Sequence, residues 1–180
     1  KMIKLWDDLP NAVEADGRFV CIKTDFRFWL LFDKLIKEED TRFCDLDFIL
    51  ENDDVMDDQI FEACLKFLYN ENSTPTGGGT NQRLTDFNED GEFIYYSFME
   101  KYKIDLLDVQ MHWHKFLALY RGLFNSYSEI VGYRAYDGKD KDMLKAKHSW
   151  TLPTKKDKSE RKKQVLSILL GDGDFTKGGE

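Results

Sequence analysis

Large apolar residues recur along the first part of the chain in two rhythms. In AVEADGRFVCIK, Val13, Phe19, Val20 and Ile22 flank Asp16-Gly17. That pair supplies the positive backbone dihedrals a tight two-residue turn requires, so the stretch predicts a β-hairpin. Thr24 then stands where an N-cap should accept a backbone N–H. DFRFWLLFDKLIK follows as a predicted helix with apolar residues on more than one side: Phe26, Phe28, Trp29, Leu30, Leu31, Phe32, Leu35 and Ile36. A helix this apolar must be packed from several directions, by its own chain or by another protein. CDLDFILEN predicts a short helix. DDQIFEACLKFLYN predicts a longer one, with Ile60, Phe61, Cys64, Leu65 and Leu68 at helical spacing and Asp57 or Asp58 as cap.

NENSTPTGGGTNQR interrupts this order, its Gly, Ser, Thr, Asn and Pro content predicting an exposed linker. Beyond it, EFIYYSFMEKY, a helix from about Leu106 to Phe124, SEIVGYRAYD and KDKDMLKAKHSW continue the helical pattern until Thr151-Leu152-Pro153 ends it. The tail holds SERKKQVLSILLGDGD, read as a short amphipathic helix stopped at Gly171, with Val165, Leu166, Ile168, Leu169 and Leu170 on its apolar side. The expected fold is therefore mainly α with a small N-terminal β-hairpin. Its expected parts are an N-terminal lobe (1–72), a flexible linker (73–85), a C-terminal helical lobe (86–153) and a basic, amphipathic tail (154–180).

Composition narrows the classes. At 180 residues, 42% hydrophobic and 14% aromatic, the chain has ample material for burial. Its longest strongly apolar run, FRFWLLF, is interrupted by Arg27 and is far too short to span a bilayer. No secretion signal is read at its start. A net charge of −8 argues against phosphate-tracking DNA binding. Cys21, Cys44 and Cys64 are odd in number and set among apolar neighbours, which predicts reduced core thiols in a cytosolic protein. Acidic residues crowd from Glu38 to Glu62, opposed in sequence by Arg42, whereas the tail carries KKDKSERKK. Each block reads as a solvated face, or as a surface that docks on the other or on a partner.

Two stretches carry candidate chemistry. In DVQMHWHKFLALYRGL, a continuous helix would advance about 100° per residue and point His112 and His114 about 200° apart, so that they could not share a metal ion. On such a helix Leu106, Val109, Trp113, Phe116, Leu117, Tyr120, Leu123 and Phe124 form one stripe, which predicts a core helix. In DFNEDG, Asp86, Asn88, Asp90 and Gly91 match the first half of an EF-hand loop. The twelfth position, which needs a bidentate Glu, is Ser97. A polar turn capping the next helix, with Asp90 as cap, is the expectation. No P-loop, nucleophile motif or CxxC is present, so no catalytic residue, metal site or cofactor is assigned. A metal-dependent enzyme built on dispersed carboxylates stays open as a third reading.

Several segments read in order resemble one family of tailed-phage proteins: LWDDLP, the hairpin leading into IKTDFRFW, DFNEDGEFIYYSFMEKYKIDL, HWHKFLALYRGL, IVGYR and TLP. The resemblance runs from about Leu5 to Pro153, leaving the tail from Thr154 outside it, and His114 stands where another aromatic is expected. The family occurs in siphophages of Gram-positive bacteria and related prophages, usually encoded just ahead of the tape-measure gene. The resemblance implies a non-enzymatic tail assembly chaperone that holds the tape-measure protein before tail-tube polymerisation. It would work with other tail assembly proteins in the cytoplasm of the infected or lysogenic host and be absent from the mature virion. The alternative is a permanent structural part of the tail, a tube terminus or connector. The expected partner-binding residues are Phe28, Leu31, Phe32 and Leu35 with Val165, Leu166, Ile168, Leu169 and Leu170. Neither nucleic acid nor membrane is an expected partner, and a homo-oligomer is compatible with this reading.

Overall fold

A computed structural model describes residues 8–70, 84–123, 126–154, 157–160, 163 and 165. Among these the architecture is mainly helical, with an N-terminal two-stranded antiparallel hairpin. Strands β1 (Ala12–Ala15) and β2 (Arg18–Cys21) pair Val13 with Val20 and Ala15 with Arg18. Asp16 (φ 49°) and Gly17 (φ 73°) form the turn, the dihedral signs that the Asp-Gly pair predicts.

Helix α1 (Phe26–Leu35) follows, then a 3-10 helix (Phe43–Ile49) and α2 (Asp58–Tyr69). The cap of α1 is Asp25 and not Thr24: an Asp25 carboxylate oxygen accepts from Arg27 N at 3.1 Å. Arg42 and Asp45 start the 3-10 helix, with Arg42 N donating to Asp45 Oδ2 at 2.8 Å. Asp57 caps α2 as expected, accepting from Ile60 N at 2.8 Å, and Asn70 closes α2 in the left-handed region.

Next come α3 (Gly91–Tyr102), α4 (Trp113–Arg121), α5 (Ser126–Ala135) and α6 (Lys141–Trp150). The helix expected from Leu106 is shorter by its first two turns. Asp105 Oδ1 accepts from Leu107 N at 2.9 Å, a local side-chain bond that competes with the helical ladder. Arg27 meanwhile takes the Val109 carbonyl at 3.0 Å, and Phe26 N takes that of Met111 at 2.8 Å. The segment 105–112 is thereby drawn onto the start of α1 and cannot coil.

Contacts divide the chain into two compact units, residues 1–131 and 132–180. In the first, α2 packs against β1, and α1 packs against the 3-10 helix and α4. Segments on both sides of the expected linker contribute to one core there; the linker itself lies outside the described residues apart from Leu84 and Thr85. At the centre Phe116 stacks on Phe26 at 4.8 Å and on Phe98 at 5.3 Å, while Trp29 meets Phe67 at 4.4 Å. The buried indoles are satisfied: Trp29 Nε1 donates to Lys23 O and Trp113 Nε1 to Leu68 O. In the second unit Asp140 caps α6 through Asp142 N and Met143 N, and Arg134 Nε donates to Trp150 O. Residues 157–160, 163 and 165 are helical, and from 159 onward they are the described part of the expected tail helix.

Candidate functional site

Two helix N-termini meet at one point. Asp25, the cap of α1, and His112, the cap of α4, face each other in an isolated antiparallel bridge. The exchange is reciprocal: Phe26 N donates to Met111 O at 2.8 Å, and Trp113 N donates to Thr24 O at 2.7 Å. Each helix thus gives its first orphan N–H to the segment that leads into the other. Asp25 also accepts from Arg27 Nε at 2.9 Å and from Met111 N at 3.2 Å. Burial pushes its carboxyl up, but the Arg27 side chain and the Arg27 and Met111 amides outweigh this and hold it below its usual value.

His112 lies before the helix and not within it, so the separation expected for the two histidines does not hold. Their rings sit 5.3 Å apart, edge to face. His112 Nδ1 accepts from His114 N at 3.1 Å, which leaves Nε2 to donate to Pro10 O at 2.9 Å. His114 is buried, stacks on the Phe67 ring at 4.3 Å and donates from Nε2 to Phe67 O at 3.1 Å. Burial lowers the titration point of both, that of His114 to about 4. Their neutral rings are fastened to backbone groups, and α4 starts from them.

The DFNEDG carboxylates are also turned toward backbone. Asp86 Oδ1 accepts from Asn88 N and Glu89 N at 2.9 Å, and Asp90 Oδ2 accepts from Asp86 N at 2.9 Å. Asp90 occupies the cap position of α3, yet its side chain makes no cap bond to that helix. It is fully buried, 3.4 Å from the Tyr127 hydroxyl, which itself pairs with Tyr120. Among the described residues no group of three or more His, Cys, Asp or Glu side chains is placed to hold a metal ion.

The expected partner-binding residues separate by burial. On α1, Phe28 is 36% and Leu31 43% exposed, and Leu35 is half-buried. Phe32 is a correction: it is fully buried against Trp29 and Phe61, because one turn of α1 must fill the space between the 3-10 helix and α2. Val165 is exposed, while Leu166, Ile168, Leu169 and Leu170 lie outside the described residues. The structure adds Phe43, exposed on the 3-10 helix and 5.4 Å from the Phe61 ring, and Phe48, 6.4 Å from the Phe28 ring. For Phe48 the alternation of Leu46 and Phe48 with Asp45 and Asp47 was the available signal.

Among the cysteines Cys64 is buried, Cys21 is half-buried and Cys44 is exposed, which corrects the expectation of three core thiols. The acidic block is opposed by more than Arg42, since Arg18 of β2 reaches Asp57 at 3.2 Å and Asp54 at 3.8 Å. Among the described residues no helix is long and apolar enough to cross a membrane.

Residues 5–158 match the family model described as Bacteriophage Gp15 protein. The match thus passes Pro153, where the resemblance was expected to end, and takes in the first residues of the expected tail. No curated protein and no solved structure matches the chain.

Proposed function

We propose a role for this chain from one premise: it belongs to the Bacteriophage Gp15 protein family. The role is tail morphogenesis, as a non-enzymatic assembly chaperone that holds the tape-measure protein of its phage until tail-tube subunits polymerise around it. The observation that carries this reading is the family match over most of the chain, joined to the outward face of α1. Phe28 and Leu31 stand exposed there on a chain whose net charge of −8 favours solubility of a complex and opposes self-association. The working place is the cytoplasm of the bacterial host during assembly.

The test uses the chain as it is made in infection. Affinity-tagged protein recovered from a lysate in mid-assembly should carry tape-measure protein, and purified virions should lack the chain by mass spectrometry. A recovery free of tape-measure protein refutes the chaperone role. Stoichiometric presence in virions would instead assign the chain to the finished tail, as a terminus or connector.

A further inference from the structure

Three Asp-Gly pairs lie among the described residues: Asp16-Gly17, Asp90-Gly91 and Asp137-Gly138; Asp172-Gly173 lies outside them. Such a pair can rearrange without an enzyme. The backbone nitrogen of the glycine attacks Cγ of the aspartic acid, the carboxyl hydroxyl leaves as water with the proton of that nitrogen, and a five-membered succinimide closes. Water then adds at one of the two ring carbonyls and opens the ring. One opening restores aspartate. The other leaves isoaspartate, with the main chain running through Cγ and the mass unchanged. Glycine favours the attack because no side chain crowds its nitrogen. Closure makes one conformational demand: the glycine nitrogen must come level with Cβ across the Cα–C bond of the aspartate.

Two of the pairs are held away from that arrangement. Asp16 stands in the left-handed region (φ 49°), where the following nitrogen lies nearly opposite Cβ, and the pairing of Ala15 with Arg18 fixes the turn. Asp90, at ψ 8°, also keeps its glycine nitrogen turned away from Cβ. Its carboxylate is buried and accepts from Asp86 N at 2.9 Å, and Gly91 is already the first residue of α3.

Asp137-Gly138 is built differently. It lies in the connection between α5 and α6, with Asp137 exposed. Tyr136 N donates to Tyr133 O at 3.2 Å and Asp140 N donates to the Tyr136 hydroxyl at 3.0 Å. Between them, the N–H groups of Asp137, Gly138 and Lys139 and the Asp137 carboxylate make no hydrogen bond to the described residues. No such bond opposes rotation about the Asp137 Cα–C axis. The fold also requires glycine at 138, because a Cβ there would strike the Tyr136 ring. Tyr136 cannot easily give way: besides its hydroxyl bond to Asp140 N, its carbonyl accepts from Lys147 Nζ at 2.6 Å. The packing that places Tyr136 thus leaves Asp137 beside the one residue type whose amide is unhindered.

We propose that Asp137-Gly138 is a site of spontaneous isoaspartate formation in the folded protein, and that the fold protects Asp16-Gly17 and Asp90-Gly91. The modification adds one backbone carbon between Tyr136 and Asp140, the residue that caps α6. An aged chain therefore differs from a fresh one at the start of that helix.

The full chain, held for weeks in warm neutral buffer and shown by circular dichroism to remain folded, is digested and mapped by mass spectrometry with electron-transfer fragmentation, which tells isoaspartate from aspartate. Labelling with an isoaspartate-specific methyltransferase provides an independent measure. Isoaspartate at 137 should exceed that at 16 or 90 by roughly tenfold or more, since closure at those two sites waits for local opening of the turn or of the helix start. In concentrated urea all three pairs should convert at comparable rates. Asp137→Glu, which would need a six-membered ring, should remove most of the methyl acceptance of the aged folded region 84–154.

A folded chain that forms no isoaspartate at 137 overturns the proposal, as does conversion of Asp16 or Asp90 at the rate of Asp137. A preference for 137 that persists undiminished in urea overturns the protection assigned to the fold.

Discussion

Neutral His114 makes the fold acid-sensitive by an amount that can be worked out. In an unfolded chain its imidazole titrates near the ordinary 6.5, and in the folded protein burial lowers this to about 4. The hydrogen bond to Phe67 O works against that shift, and the neighbouring charges of His112 and Arg121 work with it. As the pH falls, the unfolded state therefore takes up the proton first. The stability that depends on neutral His114 is complete above about 6.5, declines between about 6.5 and about 4, and levels off below. The full difference is about 3 kcal/mol, most of which is gone by pH 4.5. At 5% exposure His114 is shielded from water, so screening takes little from this figure.

His114→Gln isolates the effect. Its amide nitrogen can donate to Phe67 O from nearly the position of Nε2, and it carries no charge at any pH. Urea unfolding of both proteins at pH 7.5 and pH 4.5 should show the wild-type midpoint falling further than that of the variant, by about 1 M for a typical urea slope. Contributions from His112 and the carboxylates appear in both proteins and cancel. Equal pH dependence in wild type and variant would mean that His114 is not held neutral between Phe67 and α4.

Phe116→Ala removes the ring that stacks on Phe26, Phe98 and Trp113, and should lower stability by about 3–5 kcal/mol in chemical denaturation. Asp25→Ala deletes the α1 cap and the acceptor of Met111 N, for an expected loss of about 1–2 kcal/mol at neutral pH. Because the Asp25 carboxyl is held below its ordinary 3.8, this loss should persist down to about pH 4 and fade only in stronger acid, as urea titrations across that range would show. Gly122→Ala would place a Cβ 2.7 Å from the Tyr102 hydroxyl that bonds Leu119 O, and should lower the melting temperature by several degrees, roughly 1–2 kcal/mol. Thiol labelling of the native protein at pH 8 should modify Cys44 readily. Cys64, buried and pushed up to about 12, should react only on unfolding.

The local parts of the fold were legible in the sequence, and the parts set by distant backbone were not. Asp16-Gly17 fixes its turn by its own dihedral preferences, and Asp57 caps α2 through a bond three residues away, so a short window holds all the information needed. Thr24 and Asp25 are both cap-forming types. The choice between them is made by residues more than eighty positions away, since Trp113 N takes the Thr24 carbonyl and Met111 N takes the Asp25 carboxylate. The same long-range pairing draws 105–112 out of the helical path that its apolar periodicity suggests. The two histidines were misplaced relative to each other for that reason alone, since the 200° argument holds for a continuous helix and His112 stands outside one.

The outward face of α1 was half legible. Apolar residues on all sides of FRFWLLF announced that this helix is covered from several directions, but periodicity could not say which side the chain itself covers. Packing decides it: Phe26, Trp29 and Phe32 turn to the core, while Phe28 and Leu31 remain outside. The groups that first suggested chemistry are spent on scaffolding in the same arrangement. Asp86 and Asp90 accept backbone N–H groups, His114 donates to a backbone carbonyl, and His112 does both. A polar group fixed in this way stabilises helix starts and turns and presents little to a substrate. What the first unit offers outward on α1 is Phe28 and Leu31, with Lys34 exposed beside them. The proposed role of holding another polypeptide asks for such a surface on a rigid support. The reciprocal pairing of the α1 and α4 N-termini supplies that rigidity at the start of α1.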